Sequence, residues 1–64
     1  MGVIRMVGPT IQFLDLETLN NALDLCENIL NEEDYTYDEE NNQIIFSDTN
    51  AEYRFSVSWQ SRSW

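Results

Sequence analysis

Leu16, Leu19, Leu23, Cys26 and Leu30 recur at three- and four-residue steps, and Ala22 and Ile29 widen that row into an apolar stripe. A helix turns once in about 3.6 residues, so the stripe predicts an amphipathic helix from about Asp15 to Asn31 with one face buried. Asp15 is placed to cap it, and Glu17 suits the positive end of the helix dipole. Glu32, Glu33 and Asp34 would be unfavourable beside the carbonyls of the last turn, which stops the helix near Asn31. The opposite face carries Glu17, Asn20, Asn21, Asp24, Glu27, Asn28 and Asn31. No lysine or arginine on the helix offsets its acids, so that face stays negative.

Past the helix the pattern changes to alternation. Tyr35 and Tyr37 alternate with polar residues, Asp38 to Asn42 reads as a turn, and Gln43 to Phe46 as the returning strand. Asn41 and Asn42 tolerate the left-handed backbone such a turn needs. Ser47 to Asn50 is a second turn cluster. Beyond it Tyr53, Phe55, Val57 and Trp59 alternate with Glu52, Arg54, Ser56 and Ser58, which predicts another strand with those four apolar residues on its core face. At the other end Val3 to Val7 is apolar enough for a strand, Gly8-Pro9 breaks it, and Thr10 to Leu14 suits a short second strand leading into the helix. Gln60 to Trp64 shows no periodicity. The expected architecture is α+β: one amphipathic helix packed on a small antiparallel sheet of three to four strands, in the order β-α-β-β-β, as a single compact domain over residues 1–64.

Composition narrows the function. The 64 residues carry twelve acids against three arginines, with no lysine or histidine, for a formal charge of −9. Such a field repels nucleic acid and anionic membranes and attracts cationic surfaces. Arg5, Arg54 and Arg62 are scattered, so the basic patch of a nucleic-acid reader is missing and no direct contact with nucleic acid is expected. A single cysteine excludes an internal disulfide and argues against a zinc site or a secreted disulfide scaffold, which points to the cytoplasm. No apolar run reaches the roughly 18 residues of a membrane span, and Gly2 to Gly8 is too short for a signal-peptide core. Like-charge repulsion favours a monomer.

Catalysis finds few tools here. Without histidine or lysine, the remaining candidates are carboxylates, tyrosines and Cys26, which falls on the apolar stripe with no cation within a helical turn to activate it. No enzymatic activity and no cofactor are expected. For metal binding, Asp34, Asp38 and Asp48 are the candidate first ligands of an EF-hand loop. All three lack the glycine and the terminal acid; from Asp34 the sixth position is Glu39 and the twelfth Ile45. No dedicated metal site is expected.

Six carboxylates fall within nine residues: Glu32, Glu33, Asp34, Asp38, Glu39 and Glu40. The bland reading is a solvated turn whose charges keep a sheet edge from aggregating. The functional reading is an array of carboxylates offered to a basic groove. Alternate strand residues sit about 6.6 Å apart and helix neighbours about 6 Å apart, near the spacing of successive phosphates, so these acids can occupy arginine and lysine sites shaped for phosphate. Tyr35 and Tyr37, flanked by acids, suit interface anchors.

In size, charge and lack of lysine the whole chain resembles phage-encoded inhibitors of bacterial defence, especially anti-CRISPR proteins that act as DNA mimics. The resemblance implies that Glu32, Glu33, Asp34, Asp38, Glu39 and Glu40, with Asp24 and Glu27, contact a DNA-binding surface on a CRISPR-Cas effector subunit in the bacterial cytoplasm. The expected function is thus a non-enzymatic inhibitor competing with nucleic acid for a cationic site. The alternative is an immunity or antitoxin-like protein that plugs a nuclease or other basic partner through a drier contact at Tyr35, Tyr37, Ile45 or Trp64. A calcium-dependent module is the weaker third reading.

Overall fold

In this computed structural model, which describes residues 8–62, the chain runs β1 (Thr10–Gln12), α1 (Leu16–Ile29), a 3-10 turn (Glu32–Asp34), β2 (Tyr35–Asp38), β3 (Gln43–Phe46) and α2 (Thr49–Ser61). The architecture is α+β, with a three-stranded antiparallel sheet in the order β1-β3-β2. Because β1 and β2 are each antiparallel to β3, they run parallel to one another. The β1-α1-β2 unit is therefore a split β-α-β, with β3 filling the gap. Cross-strand pairs share a face, so Ile11, Ile44, Phe46, Tyr35 and Tyr37 lie on one side of the sheet and Thr10, Ile45 and Thr36 on the other.

The helix α1 forms where the stripe places it. Asp15 Oδ1 accepts from the Thr18 N–H at 2.8 Å and caps the first turn, while the Leu30 N–H closes the last on the Cys26 carbonyl at 2.8 Å. Leu19, Ala22 and Cys26 are fully buried and Leu30 nearly so; Leu16, at the start of the stripe, is 47% exposed. The fall of the helix just short of Asn31 is sealed by the 3-10 turn, where Asp34 Oδ2 accepts from the Asn31 N–H at 3.0 Å and the Asp34 N–H donates to the Asn31 carbonyl at 2.9 Å.

The predicted final strand is a helix. Thr49–Ser61 is α2, capped by Asp48 Oδ1 on the Ala51 N–H at 2.8 Å, so the supposed turn Ser47 to Asn50 is a helix start. Phe55 is buried at 1% exposure and Trp59 packs against the core, as expected, but Tyr53 and Val57 are 66% and 47% exposed. Two patterns overlap in this segment. Alternation groups 53, 55, 57 and 59; the four-residue step groups Ala51, Phe55 and Trp59, and only the second matches what is buried. Strand propensity spans only about 1 kcal/mol and is overridden by burial of Phe55 among aromatic rings. Its ring centroid lies 5.4 Å from Phe46, 5.4 Å from Trp59 and 6.3 Å from Phe13. Ser56, read as part of the outward face of a strand, bonds along the helix instead, its Oγ donating to Glu52 Oε2 at 2.8 Å; farther along, Ser61 Oγ donates to the Val57 carbonyl at 2.9 Å.

The third strand of the sheet comes instead from the N-terminal side, where Thr10–Gln12 realises the short strand predicted before α1. The strand predicted over Val3 to Val7 lies outside the described residues. Gly8 carries the chain into β1 against the end of β3. A Cβ there would collide with the Phe46 carbonyl oxygen and come within 2.9 Å of the Asp48 nitrogen, so this close approach requires glycine.

Candidate acidic interface

The strand order leaves β2 at an edge of the sheet, and the acidic residues gather around it. A depression of about 300 Å³ lies between α1 and β2, lined by Asn20, Leu23, Asp24, Glu27, Tyr35 and Tyr37. Asp24 and Glu27 face it because they stand three residues apart on α1. Tyr35 and Tyr37 face it because alternate residues of a strand share one side. A second depression, of about 550 Å³, is formed by Thr36, Tyr37, Asp38, Glu39 and Glu40 at the hairpin. A third, of about 170 Å³, takes in Glu32, Tyr35, Thr36 and Tyr37. Tyr37 borders all three. Six carboxylates therefore surround one tyrosine-bearing strand, and no cation lines any of these depressions among the described residues.

Tyr35 is half-buried and packs against the core, whereas Tyr37 is 52% exposed. Burial pushes the Tyr35 phenol above its ordinary pKa, and smaller electrostatic contributions from Cys26, Glu27, Glu32 and Tyr37 act in the same direction. The contributions of Glu27 and Glu32 set acids from α1 and from the 3-10 turn around the same ring.

Not every acid expected at the interface is free to serve it. Asp34 uses its carboxylate to close the turn after α1, and Glu33 lines none of the three depressions. Asp38 lies at the hairpin, but its Oδ1 accepts from the Glu40 N–H at 3.0 Å and its Oδ2 from Asn41 Nδ2 at 2.7 Å. It holds the turn that displays Glu39 and Glu40. Asn42 completes that turn at φ 53°, the left-handed conformation an asparagine tolerates. Asn20, Leu23 and Thr36 join the surface although sequence reasoning did not single them out for it; the i, i+3 and i+4 neighbours of Asp24 and Glu27 were the signal for the first two.

The arginines within the described residues lie elsewhere. Arg54 reaches the C-terminal end of α1, and the Arg62 guanidinium lies 5.9 Å from the centre of the Trp59 ring. Cys26 is fully buried and burial pushes its thiol up to about 12, so it is a packing residue with no thiolate at neutral pH. Among the described residues no group of three or more acidic or cysteine side chains is arranged to hold a metal ion, and no helix is long and apolar enough to cross a membrane.

No family model matches the chain, and no curated protein or solved structure is significantly similar to it.

Proposed function

We propose that the chain is a non-enzymatic binding protein that inhibits a basic, nucleic-acid-binding partner by occupying its phosphate sites with carboxylates. The observation that carries this reading is the convergence on β2: Asp24 and Glu27 from α1, Glu32 from the 3-10 turn and Glu39 and Glu40 from the hairpin that Asp38 holds border adjoining depressions that no cation lines among the described residues. Acids scattered for solubility would be distributed over the surface with interspersed cations. Here three separate elements contribute to the surroundings of one edge strand. Long-range attraction to a positively charged groove follows from the net charge of −9. A DNA-binding subunit of a CRISPR-Cas effector is the partner implied by the resemblance to anti-CRISPR proteins.

Exposure of Tyr37 at 52% supports the second reading, in which a basic nuclease or similar partner is plugged by a contact centred on the tyrosines. Ile45, named for that contact, is half-buried on the opposite side of the sheet, and Trp64 lies outside the described residues.

The test is a pull-down of tagged protein from a bacterial lysate at low and high salt, with and without competing duplex DNA, run beside the variant Glu39→Lys/Glu40→Lys. Phosphate mimicry predicts a nucleic-acid-binding partner released by salt and by DNA and lost with the double variant, whose circular dichroism stays native because Asp38 still holds the turn. A partner that resists salt, ignores DNA and is retained by the double variant would overturn it in favour of the plug.

A further inference from the structure

We infer that the free edge of β2 is the docking site for an extended, arginine- or lysine-bearing segment of the partner, which joins the sheet as a fourth strand; this rests on the proposal above that the partner is basic. The phase of the ladder is set by two independent observations. On one side the Ser47 N–H donates to the Asp34 carbonyl at 2.8 Å, and the register pairs Thr36 with Ile45 and Asp38 with Gln43. Main-chain groups in an antiparallel ladder alternate in direction, so the Asp34 carbonyl and both groups of Thr36 and Asp38 turn toward β3, and Tyr35 and Tyr37 turn theirs outward. On the other side the Phe46 N–H donates to Pro9 at 2.8 Å and the Phe13 N–H to Asn42 at 2.7 Å. Even-numbered residues of β3 therefore face β1, which leaves Ile45 for Thr36 and gives the same phase.

Among the described residues nothing pairs with that edge. It offers two N–H groups and two carbonyls at Tyr35 and Tyr37, the spacing an added strand requires. Residues of the incoming strand opposite the two tyrosines would project to the same side of the sheet as their rings, into the depression walled by Asp24 and Glu27. A cationic side chain there meets an aromatic ring and a carboxylate together. Alternate residues lie about 6.6 Å apart on either strand, so two cations in an alternating segment match the two tyrosines. A second copy of the chain is a poor occupant. Edge-to-edge pairing would bring Glu32, Asp38, Glu39 and Glu40 of both copies together, and among the described residues no cation lines that edge to offset them.

The experiment uses isotope-labelled full-length protein and two peptides of alternating arginine and threonine, identical except that one is N-methylated at alternate backbone nitrogens. N-methylation removes donors and keeps the charge. Strand addition predicts that the unmethylated peptide slows amide hydrogen exchange at Tyr35 and Tyr37, leaves the already bonded Thr36 amide unchanged, and binds about ten-fold more tightly than its methylated counterpart. Equal binding by both peptides, or binding without protection of the two tyrosine amides, overturns strand addition while leaving the acidic-face proposal standing. Amides of Tyr35 and Tyr37 already as protected as Thr36 in the free protein would show the edge to be occupied and also overturn it. Failure of both peptides to bind at low salt counts against the basic-partner reading as well.

Discussion

Arg54 Nη2 donates to the Ile29 carbonyl oxygen at 3.0 Å, fastening the first half of α2 to the last turn of α1. The carbonyl end of a helix carries partial negative charge, and α1 has no basic residue of its own in that turn. The guanidinium thus supplies from a second helix what the first lacks. Arg54→Ala is expected to lower stability by about 1 kcal/mol, the modest value of a solvent-exposed charged hydrogen bond, with partial recovery in Arg54→Lys. Urea denaturation midpoints of the three proteins check this.

The helical reading of α2 separates residues that a strand would have treated alike. Phe55→Ala should cost roughly 3 to 5 kcal/mol because it empties the centre of the aromatic cluster. Tyr53→Lys and Val57→Lys, on exposed positions of the same element, should each change stability by no more than about 0.5 kcal/mol. Thermal melts would decide it, and a collapse of the fold in either lysine variant would contradict the helix.

Each helix opens on an aspartate. Asp48→Ala removes the acceptor for the Ala51 N–H and should destabilise by about 1 kcal/mol, whereas Asp48→Asn should retain most of the cap. Hydrogen bonding to Thr18 lowers the Asp15 carboxyl below its ordinary pKa of 3.8. In that range the unfolded chain binds more protons than the folded one, so stability rises with pH. The Asp15 contribution is complete above its ordinary value and is lost as pH falls through the lowered one. Acid titration of stability should accordingly be shallower in Asp15→Ala.

At alkaline pH the sign reverses. The Cys26 thiol is held protonated to about 12 in the folded protein against an ordinary 9.0, so between these values the folded state retains a proton the unfolded state has lost. Stability should fall across that window, and the fall should be smaller in Cys26→Ala. Tyr35 is raised too and adds to the loss in the same direction. Thiol-reactive dye at neutral pH should label Cys26 only at the rate of unfolding; rapid labelling of native protein would show the burial to be wrong.

The limits of the linear reading are clearest at Tyr53 to Trp59. β-branched and aromatic residues at alternate positions are the ordinary mark of a half-buried strand, a stronger signal in the sequence than Asp48 as a cap or the Ala51-Phe55-Trp59 row. The site shows the same division. Asp24 and Glu27 are neighbours on any helix, and Tyr35 and Tyr37 share a side of any strand, so each pair was legible. That Asp34 and Asp38 would be engaged in local hydrogen bonds was not, because an aspartate in a turn reads the same whether its carboxylate bonds the backbone or faces solvent.

What the amino-acid order alone determined is local: the stripe that makes α1, the Asp15 cap, the Asn42 turn and the excess of acid over base. Each depends on residues within a few positions of one another, where backbone geometry permits few alternatives. Tertiary structure decided the rest. Insertion of β3 between β1 and β2 put β2 at the edge, and packing of Phe55 against Phe13, Phe46 and Trp59 made α2 a helix. Those outcomes depend on apolar surface contributed by segments distant in sequence, and burial outweighs local preference when the two disagree.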